Sequence, residues 1–153
     1  MADTYSQISI QVVFAVKGRE NIITKNFRDE LHKYITGIVS RKGQKCLVVN
    51  GWKDHVHVFF GLEPSMKISD LVSAIKANSS KWINERGFVK GKFQWQEGYA
   101  AFSYSKSQRD AVIKYIMNQE QHHHRKTFRE EYLELLRKSD IEFDEKYLFE
   151  FYE

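Results

Sequence analysis

From His55 the chain runs histidine, valine, histidine, valine, phenylalanine, with Trp52-Lys53-Asp54 before it and Phe60-Gly61-Leu62 after. A period of two is the signature of a β-strand, in which side chains two apart share a face. His55 and His57 therefore point the same way, with Cα atoms roughly 7 Å apart. Val56, Val58 and Phe60 fill the opposite face. This stretch demands a sheet with an apolar side against a core. Two imidazoles on a rigid strand can donate to one divalent ion, because neutral imidazole is the commonest protein metal ligand. They fit equally well as two polar residues on the wet face of a half-buried strand. Only a third ligand from elsewhere in the chain can decide between the two.

The neighbouring elements supply the sheet. Tyr5 to Val16 alternates, with Ile8, Ile10, Val12, Phe14 and Val16 on one face, and predicts a long half-buried strand ended by the basic loop Lys17-Gly18-Arg19. From Asn26 to Ser40 the spacing turns helical, and Phe27, Leu31, Tyr34, Ile35, Ile38 and Val39 form one stripe stopped by Gly43. Lys45 to Trp52 reads as the second strand and the His-x-His stretch as the third. Asn50-Gly51 offers a type I′ hairpin turn; Trp52-Lys53-Asp54 is the alternative, and leaves Asp54 flanking the histidines.

A second helix begins near Ser69, buries Leu71, Val72, Ile75, Trp82 and Ile83, and stops at Gly87. Phe93 to Gln96 and Tyr99 to Ser103 predict two short strands. Ser107-Gln108-Arg109-Asp110 has the form of a capping box and opens a third helix running through Tyr115 and Gln119 into His122-His123-His124. A second box, Thr127 to Glu130, opens a helix to Lys138. The order β-α-β-β-α-β-β-α-α predicts an α+β fold. It is a ferredoxin-like (RRM-like) split βαβ antiparallel sheet, with the first two helices on one face and an additional C-terminal helical segment carrying Tyr115.

The chain has 153 residues, enough for one domain with a substantial core, and 42% of them are hydrophobic. The single cysteine, Cys46, lies in an apolar run and cannot staple the fold. No apolar run approaches membrane-spanning length and no leader pattern opens the chain, so a cytoplasmic protein without a membrane partner is expected. Charge is uneven. Residues 139–153 form an acidic, aromatic tail with six acids against one base, while residues 1–138 carry a net charge of +9. A basic body suits a polyanionic partner such as nucleic acid.

Tyr115 and Gln119 stand four apart, one above the other on a helix face. Together with His55-Val56-His57 they bring a family into view. The chain resembles the IS200-like single-tyrosine HUH transposases of small bacterial insertion sequences, which carry His-hydrophobe-His on a central strand and then a helix with Tyr-x-x-x-Gln or -Asn. Val12 to Lys17, Asp54, the run from Asp70 to Lys81 and Trp95-x-x-Gly98-Tyr99 extend the likeness over residues 5–125. Trp52-Lys53-Asp54 departs from it, since many members have a proline before the aspartate.

The resemblance implies a domain over residues 1–138 that cleaves and rejoins single-stranded DNA at insertion-sequence ends. His55, His57 and Gln119 would hold a divalent metal, Mg2+ or Mn2+. Tyr115 would attack the phosphorus to leave a 5′-phosphotyrosine link and a free 3′-hydroxyl. It also implies hairpin-bearing single-stranded DNA as partner and a homodimer, with Tyr115 acting on its own or the partner's histidines. Lys17, Arg19, Lys76, Lys81, Lys90 and Lys92 are candidate phosphate contacts. His122-His123-His124 reads as surface near a helix end, because adjacent helical residues splay about 100° apart. Two other readings fit the same residues: a domesticated relative acting on repetitive palindromes, and a non-catalytic nucleic-acid-binding module on the same sheet.

Overall fold

The computed structural model describes residues 3–17 and 21–143. Arg19, and residues 144–153 of the acidic tail, lie outside the described residues. Strands β1 (Ser9–Ala15), β2 (Lys45–Gly51), β3 (His55–Gly61) and β4 (Ala100–Tyr104) form one antiparallel sheet in the order β2-β3-β1-β4. Helix α1 (Lys25–Arg41) links β1 to β2 and α2 (Ile68–Arg86) links β3 to β4, each crossing over one intervening strand. This is the split βαβ arrangement expected from the sequence. It leaves β3 paired on both edges, so the strand that carries the histidines is also among the most constrained.

One face of the sheet forms the main core. Phe27, Leu31 and Ile35 of α1 and Leu71, Val72 and Ile75 of α2 pack on Ile10, Val12 and Phe14 of β1 and on Val56, Val58 and Phe60 of β3. The two helices are joined by rings, with Tyr34 stacked on Trp82 at 4.6 Å. Gly87, at φ 65°, supplies the left-handed residue that ends α2.

The other face is also covered, and here the structure departs from expectation. Every residue of β1 is buried, not alternate ones. Helices α3 (Arg109–Met117), α4 (Gln119–His123) and α5 (Phe128–Lys138) follow β4. Val13, Ala15, Ala100 and Phe102 pack against Phe128, Tyr132 and Leu136 of α5, while Phe59 packs against Val112 and Ile116 of α3. Gln11, His55 and His57 read as solvent-facing from their polarity alone, yet each is fully buried.

Three local predictions change. Phe93 to Gln96 is not a strand; only Trp95 bridges, to Val16. The Asn84 side chain accepts the Phe93 N–H at 2.7 Å and donates to its carbonyl at 3.1 Å, using groups a ladder would need. The cap of the third helix lies two residues earlier than predicted, where Gln108 Oε1 accepts the Ser105 N–H at 2.9 Å ahead of a short 3-10 turn, Lys106–Gln108. The helix itself breaks at Asn118 (φ −93°, ψ 23°), so α3 and α4 are separate.

Of the two hairpin turns, the one after Trp52 forms: Gly51 pairs with Val56, and the Trp52 N–H donates to the His55 carbonyl at 3.1 Å. Asn50 and Gly51 do other work. A Cβ on Gly51 would lie 2.2 Å from the His55 carbonyl oxygen. Asn50 Nδ2 donates to the carbonyls of Ile116 at 2.9 Å and Met117 at 3.2 Å, capping α3 from the sheet. Among the described residues no helix is long and apolar enough to cross a membrane.

Two outcomes follow from this packing. Leu136→Ala should lower the urea-unfolding free energy by about 2–5 kcal/mol, the cost of a core leucine; a loss under about 1 kcal/mol would show that α5 does not dock on the sheet. His32, on the buried side of α1, has its pKa lowered to about 4 by burial. It is neutral in the fold and protonates more readily unfolded, so its contribution is intact above about pH 6.5 and falls away as pH drops toward 4. His32→Leu should remove about 3 kcal/mol of acid sensitivity across that window, read from unfolding curves at stepped pH.

Candidate active site

The hairpin register sets the first two ligand candidates. His55 and His57 lie on the buried face of β3, their rings 5.1 Å apart. Each is held from behind. His55 Nδ1–H donates to Asp54 Oδ1 at 2.7 Å, and His57 Nδ1–H donates to Gln11 Oε1 at 3.0 Å. Gln11 is oriented in turn by its Nε2, which donates to the Tyr104 hydroxyl at 2.9 Å. With Nδ1 committed, both rings turn Nε2 toward the helices.

What they meet is Glu131, a residue of α5 that the motif analysis passed over. Its Oε1 lies 3.2 Å from His55 Nε2 and 3.3 Å from His57 Nε2, and Glu131 is 1% exposed. The other carboxylate oxygen accepts a hydrogen bond from the Tyr115 hydroxyl and another from Gln119 Nε2 at 3.0 Å. His55, His57 and Glu131 are close enough together to hold one metal ion. The carboxylate thus joins the histidine pair to the tyrosine.

Tyr115 and Gln119 are brought together with the histidines within one chain. The Tyr115 ring stands 5.9 Å from that of His57, edge to face. Gln119, fully buried, turns Oε1 to His55 Nε2 at 2.9 Å and to His123 Nε2 at 3.1 Å. The break at Asn118 makes this reach possible, since it swings the start of α4 toward the sheet. His122 and His123, expected at the surface, face inward instead. His123 Nε2 is 3.2 Å from Glu131 Oε1, and His122 Nε2 is 3.3 Å from Glu131 Oε2. Only His124 is exposed. The expectation left α5 out of account, and its Glu131 meets the rings of both His122 and His123.

The electrostatics are those of a buried, mutually neutralised cluster. Burial alone would lower the His55 pKa, but Asp54 and Glu131 outweigh it and raise it to about 9. His57 is lowered, because burial outweighs what Glu131 restores. Burial would raise the Glu131 pKa, yet His57, His123 and His55 hold it well below the usual carboxylate range. The Tyr115 phenol is pushed up, by burial first and then by Glu131. In this arrangement His55 is an imidazolium, Glu131 a carboxylate and Tyr115 a neutral donor. The cleft beside Tyr115 and Glu131 has a volume of about 40 Å³. That is room for a few waters.

The predicted phosphate contacts are scattered. Lys76 Nζ donates to the carbonyls of Gln96 at 2.8 Å and Gly98 at 2.7 Å, fastening the loop before β4. Lys17 lines a groove of about 560 Å³ beside that loop. Lys81 pairs with Glu85 at 3.9 Å, and Lys90 and Lys92 are exposed after α2. A basic-aromatic cleft that the lysine pattern did not reveal lies nearer the histidines. The Arg28 guanidinium sits 4.6 Å from the Trp52 ring centre and Lys53 Nζ 5.5 Å from it, beside a groove of about 470 Å³. Trp52 in the turn next to the histidines was the available signal.

Comparison with known proteins bears directly on this site. The family model described as IS200-like transposase matches residues 4–119, which takes in all four strands, Tyr115 and Gln119 and ends before α5. Among curated proteins none matches the sequence. A candidate transposase of Deinococcus radiodurans R1 has the same fold, with a TM-score of 0.63 and 22% identity over 78% of this chain and 95% of that one. So does a REP-associated tyrosine transposase bound to a REP hairpin, with a TM-score of 0.58 and 13% identity over 80% of this chain and 73% of that one. Those likenesses are of fold; the family match extends over most of the sequence and takes in His55, His57, Tyr115 and Gln119, and the chain belongs to the IS200-like transposase family.

Proposed function

We propose that the protein cuts and rejoins single-stranded DNA through Tyr115, by a metal-dependent transesterification at the ends of a mobile element. The observation that carries this reading is the convergence of the Tyr115 hydroxyl, Gln119 and both β3 histidines on one buried carboxylate, Glu131.

The residues fit a divalent ion. Two imidazoles with Nδ1 occupied from behind direct Nε2 to the same place as Gln119 Oε1 and Glu131 Oε1. Such an ion would take the place of a proton at the Nε2 atoms of the two rings. His55, His57 and Gln119 would hold Mg2+ or Mn2+, with Glu131 as a further oxygen donor. When bound, such an ion polarises the scissile phosphate and offsets charge on its oxygens.

The chain's own groups do the rest. Glu131 orients the Tyr115 hydroxyl and accepts its hydrogen bond, giving the proton a path away from the oxygen that attacks. The tyrosine oxygen forms a bond to phosphorus as the bond to the 3′-oxygen breaks, and the departing oxygen takes up a proton as a 3′-hydroxyl. The energy of the phosphodiester is kept in the 5′-phosphotyrosine link, so a 3′-hydroxyl can reverse the step and reseal. The approach of Tyr115 to the histidines of its own chain supports action in cis, and the proposed assembly is a homodimer. The proposed DNA partner is a hairpin-bearing single strand. The reading as an open-sheet binding module is disfavoured by the helices that bury the histidine face.

Incubation with a labelled hairpin-bearing strand from the gene's own flanks and Mn2+ should give a denaturation-resistant protein–DNA adduct. Tyr115→Phe should abolish it; equal adduct from the phenylalanine variant would remove Tyr115 from the chemistry. The Trp52–Arg28 cleft supplies a second outcome. Trp52→Ala should weaken single-strand binding about tenfold, the loss of roughly one stacked base, while Lys81→Ala leaves it within about twofold, as for a single screened surface charge. Fluorescence anisotropy measures both.

A further inference from the structure

We propose that His123 is a third imidazole ligand of the divalent ion, supplied in cis by α4 from beyond the segment that the family model matches. The inference rests on the metal-site reading above and extends it.

His123 is built like the two strand histidines. Its Nδ1–H donates to the Lys126 carbonyl at 2.9 Å, as His55 donates to Asp54 and His57 to Gln11. A backbone carbonyl only accepts, so Nδ1 keeps its proton and Nε2 is the ring atom left to meet a cation. That nitrogen lies 3.2 Å from Glu131 Oε1, matching the 3.2 Å and 3.3 Å of His55 and His57, and its side chain is 3% exposed. It is also 3.1 Å from Gln119 Oε1, which His55 Nε2 approaches to 2.9 Å.

The three imidazole nitrogens each lie 3.2 or 3.3 Å from Glu131 Oε1, with every ring oriented from behind by an oxygen acceptor; His55, His57 and Glu131 are close enough to hold one ion, and His123 borders that set. Acceptors so gathered repel one another unless a proton or a cation lies among them, and outer hydrogen bonds of this kind are what orient metal-binding histidines. The neighbouring histidines do not share the construction. His122 lies on the Oε2 side, its ring 5.2 Å from that of Tyr115, and His124 is exposed near Trp52. The angular splay of adjacent helical residues thus selects one of the three. A set richer in nitrogen than His-His-Gln shifts preference from Mg2+ toward Mn2+, Co2+ and Zn2+.

The test uses the full chain and Co2+ as probe. Proton NMR of the Co2+-loaded protein should show three hyperfine-shifted, solvent-exchangeable signals, one for each ligated ring's Nδ1–H. Two would overturn the assignment of His123. His123→Ala should remove one signal and weaken Co2+ binding at least about tenfold, whereas His124→Ala should leave both unchanged. A His123→Ala protein that keeps wild-type affinity and all its signals overturns the proposal. Wild-type protein that binds no Co2+ would overturn the metal-site reading itself, and this inference with it.

Discussion

The carboxylate of Glu131 is taken out of water and set among imidazoles, a phenol and an amide. Stripping an ion of its hydration costs several kcal/mol unless its lone pairs are met by donors and opposite charge. Here they are. The imidazolium of His55 supplies the charge, and Tyr115 and Gln119 supply the hydrogen bonds. The same contacts dock α5 on the sheet and place Tyr115 beside His57, so the cover of the second face and the placing of the tyrosine hydroxyl share one origin.

The sheet makes that cluster rigid. β3 is hydrogen-bonded on both edges, and the residues behind its histidines are anchored too. Asp54 lies in the turn that the close approach of Gly51 to the His55 carbonyl makes compact, and Gln11 is tied to Tyr104 of β4. Asn50 reaches from β2 to the carbonyls one and two residues past Tyr115, capping α3. Tyr115 on a helix and His55 and His57 on a strand are thereby fixed to a single frame, which is what the proposed in-line attack on a phosphodiester would require.

The family match ends at Gln119, yet the site does not. Glu131 and His123 both come from the segment that follows, and this segment lines a cleft of about 40 Å³ beside Tyr115. The domain shared with relatives carries the strand histidines, the tyrosine and the glutamine. The segment after Gln119 covers this face of the sheet, and its own polar groups enter the same cluster.

Much was legible in the residues themselves. Alternation placed His55 and His57 on one face, helical spacing marked α1 and α2, and the order of elements with Tyr115 and Gln119 pointed to the family, because such patterns follow from backbone geometry within a few residues. The break at Asn118, the inward turn of His122 and His123, and the role of Glu131 were not legible. A glutamate in a helix rich in Glu and Arg reads as solvated surface, and only docking against the sheet shows that it is buried. The sequence by itself determined the strand, the helices and the chemistry of each side chain, since these depend on local period and residue type. The tertiary structure decided which polar groups lose water together, because that depends on contacts between residues as far apart as His57 and Glu131.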